Sequence, residues 1–308
     1  VLTAWLMLSC SNTKYLPEGD LLYTGGSVKV VDSAMKRKQR KALEKQLEGL
    51  LRPKPNSKIL GLRPKLLIYN LAGEPKRERG FRHWLRTKVG EPPVLFSQVD
   101  LDYNASILQN RSENIGYFKT RTSADSTRRG KRATAEYTVK PGKQYKIRNV
   151  EFPSDSSAIS KAIRRATRRT TLRSGDPYDL DVIKGERERI DSRLKERGFY
   201  FFGPDYLLVE VDSTVGNYQV DLKVKVKPDT PKRASDVYTI NDIVVYPNFS
   251  LRTDTLSFKP EHITKHKDLT IIDSTQTFRP IIYNRTMYFN KGDIYNRKDH
   301  NLTLNRLI

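Results

Sequence analysis

Two periodicities follow one another in the middle of the chain. Apolar residues recur at helical spacing over 180–197, and Gly198 then stands where the end of a helix needs a positive φ. Two runs of alternating apolar and polar residues come next, at 206–212 and 218–226, with Gly216 and Asn217 between them. A Gly-Asn step between alternating runs is a short-range hairpin signal. The pattern therefore predicts a helix followed by an antiparallel hairpin.

The same order of signals occurs upstream and starts again near the end of the chain. Upstream, a turn at Gly90 precedes a predicted helix whose apolar residues are Phe96, Val99, Tyr103, Ile107 and Leu108. A predicted strand then opens at 115–118, turns at 128–131 and returns over 134–139. The turn Gly175-Asp-Pro-Tyr178 recurs as Gly292-Asp-Ile-Tyr295. Such a recurrence indicates a short α/β unit that is used several times.

A further strand is predicted ahead of each unit, and a helix follows it. The strands fall at 21–31, 145–152 and 238–245, and the helices at 35–51 and 157–170. The fold class predicted is α+β: tandem β-α-α-β-β modules, each a small three-stranded mixed sheet backed by two helices. The predicted domains are a tether over 1–20, a first module with an insertion over 21–144, a second module over 145–230, and a truncated third module over 237–308.

Net charge brings in a second interpretation. The 308 residues carry a formal net charge of +22, which is typical of proteins that bind nucleic acid, anionic membranes or acidic protein segments, and also of a solvated surface. The densest basic run, 36–41, lies on a predicted amphipathic helix without interleaved aromatic residues. A basic nucleic-acid-binding protein is therefore the alternative, and a steep loss of DNA affinity between about 50 and 200 mM salt would identify it.

The N-terminus has its own chemistry. An apolar run ends at Cys10, which is the single cysteine of the chain and excludes an internal disulfide. Beyond the first ten residues, no apolar run approaches the roughly 20 residues of a membrane-spanning helix. Ser9 before Cys10 fits the lipobox of a bacterial lipoprotein, while Met7 and Leu8 fit it loosely. The sequence predicts a signal peptide remnant with lipidation at Cys10; a buried N-terminal strand is the alternative.

The ordered recurrence resembles POTRA domains, the periplasmic modules of the BamA/TamA superfamily of outer-membrane assembly proteins. The lipobox and the segment 13–19 after it are similar to TamL-like lipoproteins of the Bacteroidota. The residues that carry the resemblance are Gly90, Gly116, Tyr117, Phe118, Gly175, Asp176, Tyr178, Gly198, Phe199, Gly292, Asp293 and Tyr295. It covers essentially the whole chain, most strongly 145–228 and most weakly 32–89.

The resemblance implies a non-enzymatic, lipid-anchored protein on the periplasmic face of the outer membrane. Its partners would be a C-terminal membrane β-barrel of the full-length chain, unfolded outer-membrane clients and a TamB-like protein; no nucleic acid is expected. In such modules an open strand edge pairs with an extended segment. The edges expected here are 118–124 and 200–211, with Phe118, Thr120, Thr122, Tyr200, Tyr206, Leu208 and Val209 as binding residues.

Catalytic and metal motifs are absent from the sequence. There is no Cys-x-x-Cys pair, phosphate-binding glycine loop or Gly-x-Ser-x-Gly elbow. His262 and His266 have the spacing of helical metal ligands, but a zinc site needs three or four ligands, so both are expected on the surface. We therefore expect no catalytic residue, no metal and no cofactor.

The lipobox gives a direct prediction. In the native host, the protein should incorporate labelled fatty acid, because a thiol at the mature N-terminus accepts the lipid, and Cys10→Ala should lose the label. Ser11→Ala, next to the cysteine, should keep it. Equal labelling of the Cys10→Ala variant would contradict lipidation at Cys10.

Overall fold

The computed structural model describes residues 12–13, 15–75, 79–247, 260–273 and 278–307. Cys10 lies outside these residues. The chain forms two compact units, Val1–Tyr145 and Lys146–Ile308, called unit 1 and unit 2 below. Among the described helices, none is both long and apolar enough to cross a bilayer.

Unit 1 contains one sheet and four α-helices among its described residues. The strands are β1 (Leu22–Val30), β2 (Arg121–Arg129) and β3 (Arg132–Lys140). The helices are α1 (Arg37–Glu48), α2 (Pro64–Ala72), α3 (Phe81–Trp84) and α4 (Leu101–Asn114). The last turn of α3 continues as a π-helix, Leu85–Val89, and a 3₁₀ turn, Phe96–Gln98, precedes α4.

Unit 2 contains two sheets among its described residues. Its strands are β4 (Lys146–Glu151), β5 (Leu207–Asp212), β6 (Gln219–Val226), β7 (Ile243–Val245), β8 (Ile263–His266) and β9 (Leu269–Ile272). Its helices are α5 (Ala158–Ala166), α6 (Leu180–Lys195), α7 (Lys232–Ser235), α8 (Pro280–Thr286) and α9 (Arg297–Leu307). Short 3₁₀ turns lie at Thr167–Arg169, Pro204–Tyr206 and Pro260–His262.

The three described sheets share one strand order. In each, the last strand of the sequence lies in the middle: β1-β3-β2, β4-β6-β5 and β7-β9-β8. The central strand pairs in parallel with the first strand and antiparallel with the second. These mixed three-stranded sheets, with helices in the same units, confirm the predicted α+β fold class.

Alternation along the central strands places the apolar cores. On β3, Ala133, Ala135, Tyr137 and Val139 are buried, and on β6 the same holds for Val220, Leu222 and Val224. In unit 1, Leu43 and Leu47 of α1 and Leu108 of α4 pack against this face. Removing large apolar side chains from water is the main stabilising contribution to domains of this size.

The third sheet departs from the predicted chain order. Its hairpin, β8 and β9, comes before helices α8 and α9, whereas β2–β3 and β5–β6 follow the helices of their modules. Tyr283 of α8 closes the small core over Ile243, Val245, Leu269 and Ile271. The sheet order is thus retained although the elements come from different places in the sequence.

The buried face of α4 differs from its prediction because a polar residue is buried in place of an apolar one. Tyr103 is 60% exposed, and Asn104 next to it is buried. The Asn104 side chain accepts from Arg52 N at 2.9 Å and donates to Arg52 O at 2.6 Å. These two hydrogen bonds connect the start of the insertion, at Arg52, to α4. They also satisfy both the carbonyl and the amino group of the buried Asn104 side chain.

A carboxylate is buried in the second module. Glu186 of α6, 1% exposed, accepts hydrogen bonds from Thr170 Oγ1 at 2.7 Å and Thr171 N at 3.1 Å. Arg189 donates to both of its oxygens, at 2.7 and 2.8 Å. Burial raises the pKa of Glu186, but the hydrogen bonds from Arg189, Thr170 and Thr171 outweigh burial and leave the pKa below its ordinary value.

Removing this carboxylate should destabilise unit 2. We expect Glu186→Gln to lower the free energy of unfolding by about 3 kcal/mol, because the buried hydrogen-bond donors lose their charged acceptor and the partly buried Arg189 loses its counter-charge. Because the folded pKa is depressed, the carboxylate stabilises the protein above its unfolded pKa of about 4.3 and loses that effect as the pH falls through the folded value. The difference between wild type and variant in urea unfolding should therefore shrink below about pH 4.

The control is Glu188→Gln, two residues along the same helix and exposed. A surface change of this kind should alter the unfolding free energy by no more than about 0.5 kcal/mol. Equal effects of the two substitutions at pH 7 would contradict the structural role given to Glu186.

Candidate binding edges and module junctions

The glycine turn before the second helix makes the same hydrogen bonds twice in unit 2. Gly175 N donates to Ile147 O at 2.7 Å, and Ile147 N donates to Asp176 O at 2.9 Å. In the third module, Gly292 N donates to Ile240 O at 2.7 Å and Ile240 N to Asp293 O at 2.8 Å. The Gly-Asp-x-Tyr motif therefore makes two backbone hydrogen bonds with the segment that opens its own module.

A helix cap follows the motif directly. Asp179, one residue after Tyr178, accepts from Asp181 N at 2.8 Å. Asn296, one residue after Tyr295, accepts from Lys298 N at 2.9 Å. Asp and Asn are favoured caps because their side chains satisfy free N–H groups of the first turn. The sequence carried this signal, and the motif is properly one residue longer than predicted.

In the first module the turn lies at a different place from the one expected. Leu95 forms an isolated antiparallel bridge with Leu22 of β1. Pro177 and Ile294 form the corresponding bridges in unit 2, with Lys146 and Thr239. Pro93 and Val94 therefore stand where Gly175 and Asp176 stand in the second module. Gly90 is not equivalent to Gly175, and its assignment to the motif is wrong.

Gly90 has a packing role in the insertion. A Cβ there would lie 2.9 Å from Tyr69 Cα and 3.0 Å from the carbonyl oxygens of Leu85 and Arg86. Its N–H donates to Leu85 O at 2.6 Å and closes the π-helical turn. A glycine is needed because α2 approaches the backbone at this point.

The Gly-aromatic step after the second helix forms a junction. Gly198 has φ +94°, and its carbonyl accepts from Tyr238 N at 2.8 Å. At the end of unit 1, Gly116, with φ +91°, accepts in the same way from Tyr145 N at 2.8 Å. The residue that opens the next strand segment is thus hydrogen-bonded to the end of the preceding helix.

Aromatic rings surround each of these hydrogen bonds. The rings of Phe118 and Tyr145 lie 4.8 Å apart. In unit 2, Tyr200 contacts Tyr295 edge-to-face at 4.8 Å, and Phe201 contacts Tyr238 at 5.1 Å. Tilted and edge-to-face pairs at such distances are attractive beyond their burial. We call Gly198, Tyr200, Tyr238 and Tyr295 the unit 2 junction.

These contacts correct the predicted edge strands. The strands begin at Arg121 and Leu207, so Phe118, Thr120, Tyr200 and Tyr206 do not belong to an edge. Thr120 is buried in a turn, where its hydroxyl donates to Tyr117 O at 2.6 Å. Tyr206 lies in a 3₁₀ turn after Gly203 and Pro204. Tyr200 and Tyr206 have high strand propensity, but here Tyr200 packs in the junction and Tyr206 lies in a turn.

The remaining edge residues lie where they were predicted. Thr122 is on β2, and Leu208 and Val209 are on β5. In the described sheets, β2 and β5 each pair on one side only. Leu208 is 39% exposed, while Leu207 beside it is buried. The two strands therefore present open margins, and β5 carries the more apolar one.

The predicted histidine pair is half-buried in a short strand region. His262 ends a 3₁₀ turn and His266 ends β8, so the helical spacing inferred from the sequence does not apply. Among the described residues, no group of three or more His, Cys, Asp or Glu side chains is placed to hold a metal ion.

Comparison with known proteins gives structural likenesses only. No family model matches the sequence, and no curated protein matches it. POTRA3-5 of BamA from Haemophilus influenzae is similar at 13% identity and a TM-score of 0.42, covering 95% of this chain and 87% of that chain. POTRA1-3 of the periplasmic domain of Omp85 from Anabaena is similar at 14% identity and a TM-score of 0.30, covering 94% and 85%.

The N-terminal domain of Omp85 from Thermosynechococcus elongatus is similar at 11% identity and a TM-score of 0.30, over 94% of this chain and 86% of that chain. All three TM-scores are below 0.5, so no functional argument is taken from them. The strand order, the repeated turn and the junctions are properties of this chain itself.

The unit 2 junction makes a prediction about two glycines with the same backbone conformation. A Cβ at Gly198 would lie 2.5 Å from Val237 Cγ1 and 2.9 Å from Ile294 Cγ2. Gly175 has φ +89°, and a Cβ there would meet no atom within 4 Å. Gly175→Ala should cost about 1 kcal/mol through backbone strain alone, and Gly198→Ala should cost a further 1 to 3 kcal/mol, roughly, through overpacking.

Urea unfolding of the two variants, followed by far-UV circular dichroism, measures the difference. Gly198→Ala should also change the near-UV spectrum of the junction tyrosines, whereas Gly175→Ala should leave it unaltered. The same loss of stability in both variants would show that the junction does not depend on the absence of a side chain at 198.

Proposed function

We propose that the chain is a POTRA-type periplasmic region of a BamA/TamA-like protein, and that it binds extended segments of outer-membrane or surface proteins by β-augmentation. The role is non-enzymatic. The observation that carries the proposal is the open margin of β5 in a three-stranded sheet. The β-α-α-β-β order of the second module, the strand order shared by the three described sheets and the glycine-aromatic junctions support the family assignment.

The hydrogen-bonding direction of β5 supports this use of its edge. Lys227 N donates to Tyr206 O at 2.9 Å, which makes residues 206 and 227 a hydrogen-bonded pair. In an antiparallel ladder such pairs alternate with pairs whose N–H and C=O groups point away from the partner strand. The polar groups of Leu207, Val209 and Val211 therefore point away from β6 and are oriented to pair with an added strand.

Side chains make β5 a better edge than β2. Leu208 and Val211 are each 39% exposed, and an apolar edge favours binding of apolar clients. The exposed residues of β2 include Arg121, Asp125 and Arg128. Charge on an edge strand opposes pairing with other chains, so we assign client binding to β5 and a protected edge to β2.

Anchoring and location are part of the same proposal. The lipobox at Cys10 supports a TamL-like lipoprotein held at the periplasmic face of the outer membrane, with a TamB-like partner. The tether that follows, 11–20, is polar and carries a proline and a glycine, which suits a segment between a lipid and the first module.

The edge makes a prediction that separates main-chain from side-chain binding. Val209→Pro should weaken binding of an unfolded outer-membrane protein about tenfold, because it removes one outward N–H without removing a hydrogen bond to β6. Fluorescence anisotropy of a labelled, urea-diluted porin with the full chain measures the affinity. Val209→Ala, which keeps the N–H and also loses the valine side chain, should bind within about twofold of wild type.

The unfolding midpoint of each variant checks that the module remains folded. Wild-type affinity in Val209→Pro would contradict binding at β5. An equal loss in Val209→Pro and Val209→Ala would assign binding to the side chain and contradict β-augmentation.

A further inference from the structure

The insertion of the first module forms a basic pocket on unit 1. The segment that contains Lys58 and Arg63 lies over the outer face of the first sheet. A cavity of about 730 Å³ lies between this segment and the sheet. Its basic lining residues, which define the basic pocket, are Lys58, Arg63, Arg129, Lys131 and Arg132. Among the described residues, Glu136 is the single acidic lining residue, and its Oε1 accepts from Thr127 Oγ1 at 2.7 Å.

The insertion is held firmly enough to form a site. Asn56, 1% exposed, donates to Pro92 O at 2.7 Å and accepts from Val94 N at 2.9 Å. Ile59 and Leu62 exchange backbone hydrogen bonds at 2.9 and 3.0 Å, which closes the turn before Arg63. Arg63 then precedes α2 directly. Its position is thus determined by the fold and not by a mobile surface loop.

Arg63 is buried, and within the part of the chain that the structure describes no carboxylate is among its hydrogen-bond acceptors. The residue is 7% exposed, and its Nη2 donates to Thr24 O at 3.2 Å. Within the described residues, its buried Nε has no hydrogen-bond partner. Leaving one N–H of a charged group buried and unpaired is costly, so the guanidinium that lines this pocket is only partly satisfied.

The cations of the pocket also repel one another. Burial, and then the charge of Arg132, lower the pKa of Arg63. Partial burial, and then the charges of Arg63 and Arg132, lower the pKa of Lys58. An anion bound between these groups would relieve the repulsion.

We propose that the basic pocket binds a phosphate group. An arginine fork and neighbouring ammonium groups match the several acceptor oxygens and the double charge of phosphate better than one carboxylate. No aromatic side chain lines the pocket in the described part of the chain, so the base stacking typical of single-stranded nucleic acid has no platform there. The phosphate can come from a lipid headgroup or from the free ion, and the two sources are separated by experiment.

Titration calorimetry of the full 308-residue chain with inorganic phosphate tests the site, at an ionic strength held constant with chloride. Sedimentation with phosphatidylglycerol vesicles, against phosphatidylcholine vesicles, tests the lipid source. Lys58→Gln and Arg63→Gln should each weaken binding about tenfold, as expected for the loss of one charge-assisted hydrogen bond. Lys38→Gln, an equal change of charge on the exposed face of α1, should leave binding unaltered.

Lys58 is exposed and precedes the Ile59–Leu62 turn, so its substitution keeps the test decisive if Arg63→Gln does not fold. Phosphate binding that Lys58→Gln weakens supports the proposal with the free ion as ligand. Vesicle binding alone, also weakened by Lys58→Gln, supports it with a lipid phosphate. The proposal is overturned if neither probe binds, if Lys38→Gln weakens binding as much as Lys58→Gln, or if only a single-stranded oligonucleotide binds.

Discussion

The structure of unit 2 depends on one hydrogen bond, from Tyr238 N to the carbonyl of Gly198. It requires a residue that adopts a left-handed conformation at the end of a helix and leaves room for Val237 and Ile294 where a side chain would stand. Glycine alone meets both conditions. Once Tyr238 is held by Gly198, the motif at Gly292 can form backbone hydrogen bonds with the segment that Tyr238 opens, and the tyrosine rings pack around the contact. The same hydrogen bond at Gly116 and Tyr145 shows that this is a rule of the repeat and not a local accident.

The second constraint is the strand order. Because the last strand takes the middle of each described sheet, the two earlier strands both lie at margins. The central strand of such a sheet forms hydrogen bonds on both sides. The two edge strands form them on one side, so their outward main-chain N–H and C=O groups remain available. The side chains at the two margins differ: exposed arginines lie along β2, whereas Leu208 and Val211 are exposed on β5. This difference is the reason that we assign the added strand of the proposed function to β5.

Local signals in the sequence predicted much of this fold. The alternation of β6, the glycine after α6 and the Gly216-Asn217 turn each have one physical meaning, and the structure confirms them. Other features depend on contacts distant in the sequence. The aromatic run after Gly198 has strand propensity but packs a junction, and Gly90 is explained by the approach of Tyr69, which no local pattern reveals. The burial of Glu186 and Asn104 had no local signal, because their partners, Thr171 and Arg52, lie in other segments. The basic pocket was hidden for the same reason, since the insertion gave no periodic signal of its own.

The repeated hydrogen bond has a consequence for how such chains can change over time. More residues separate Gly198 from Tyr238 than separate Gly116 from Tyr145, yet the two contacts have the same length. The intervening hairpin and linker therefore differ in length while the hydrogen bond itself is retained. An insertion in these segments need not disturb the contact, and each such insertion would be an opportunity to acquire a new surface.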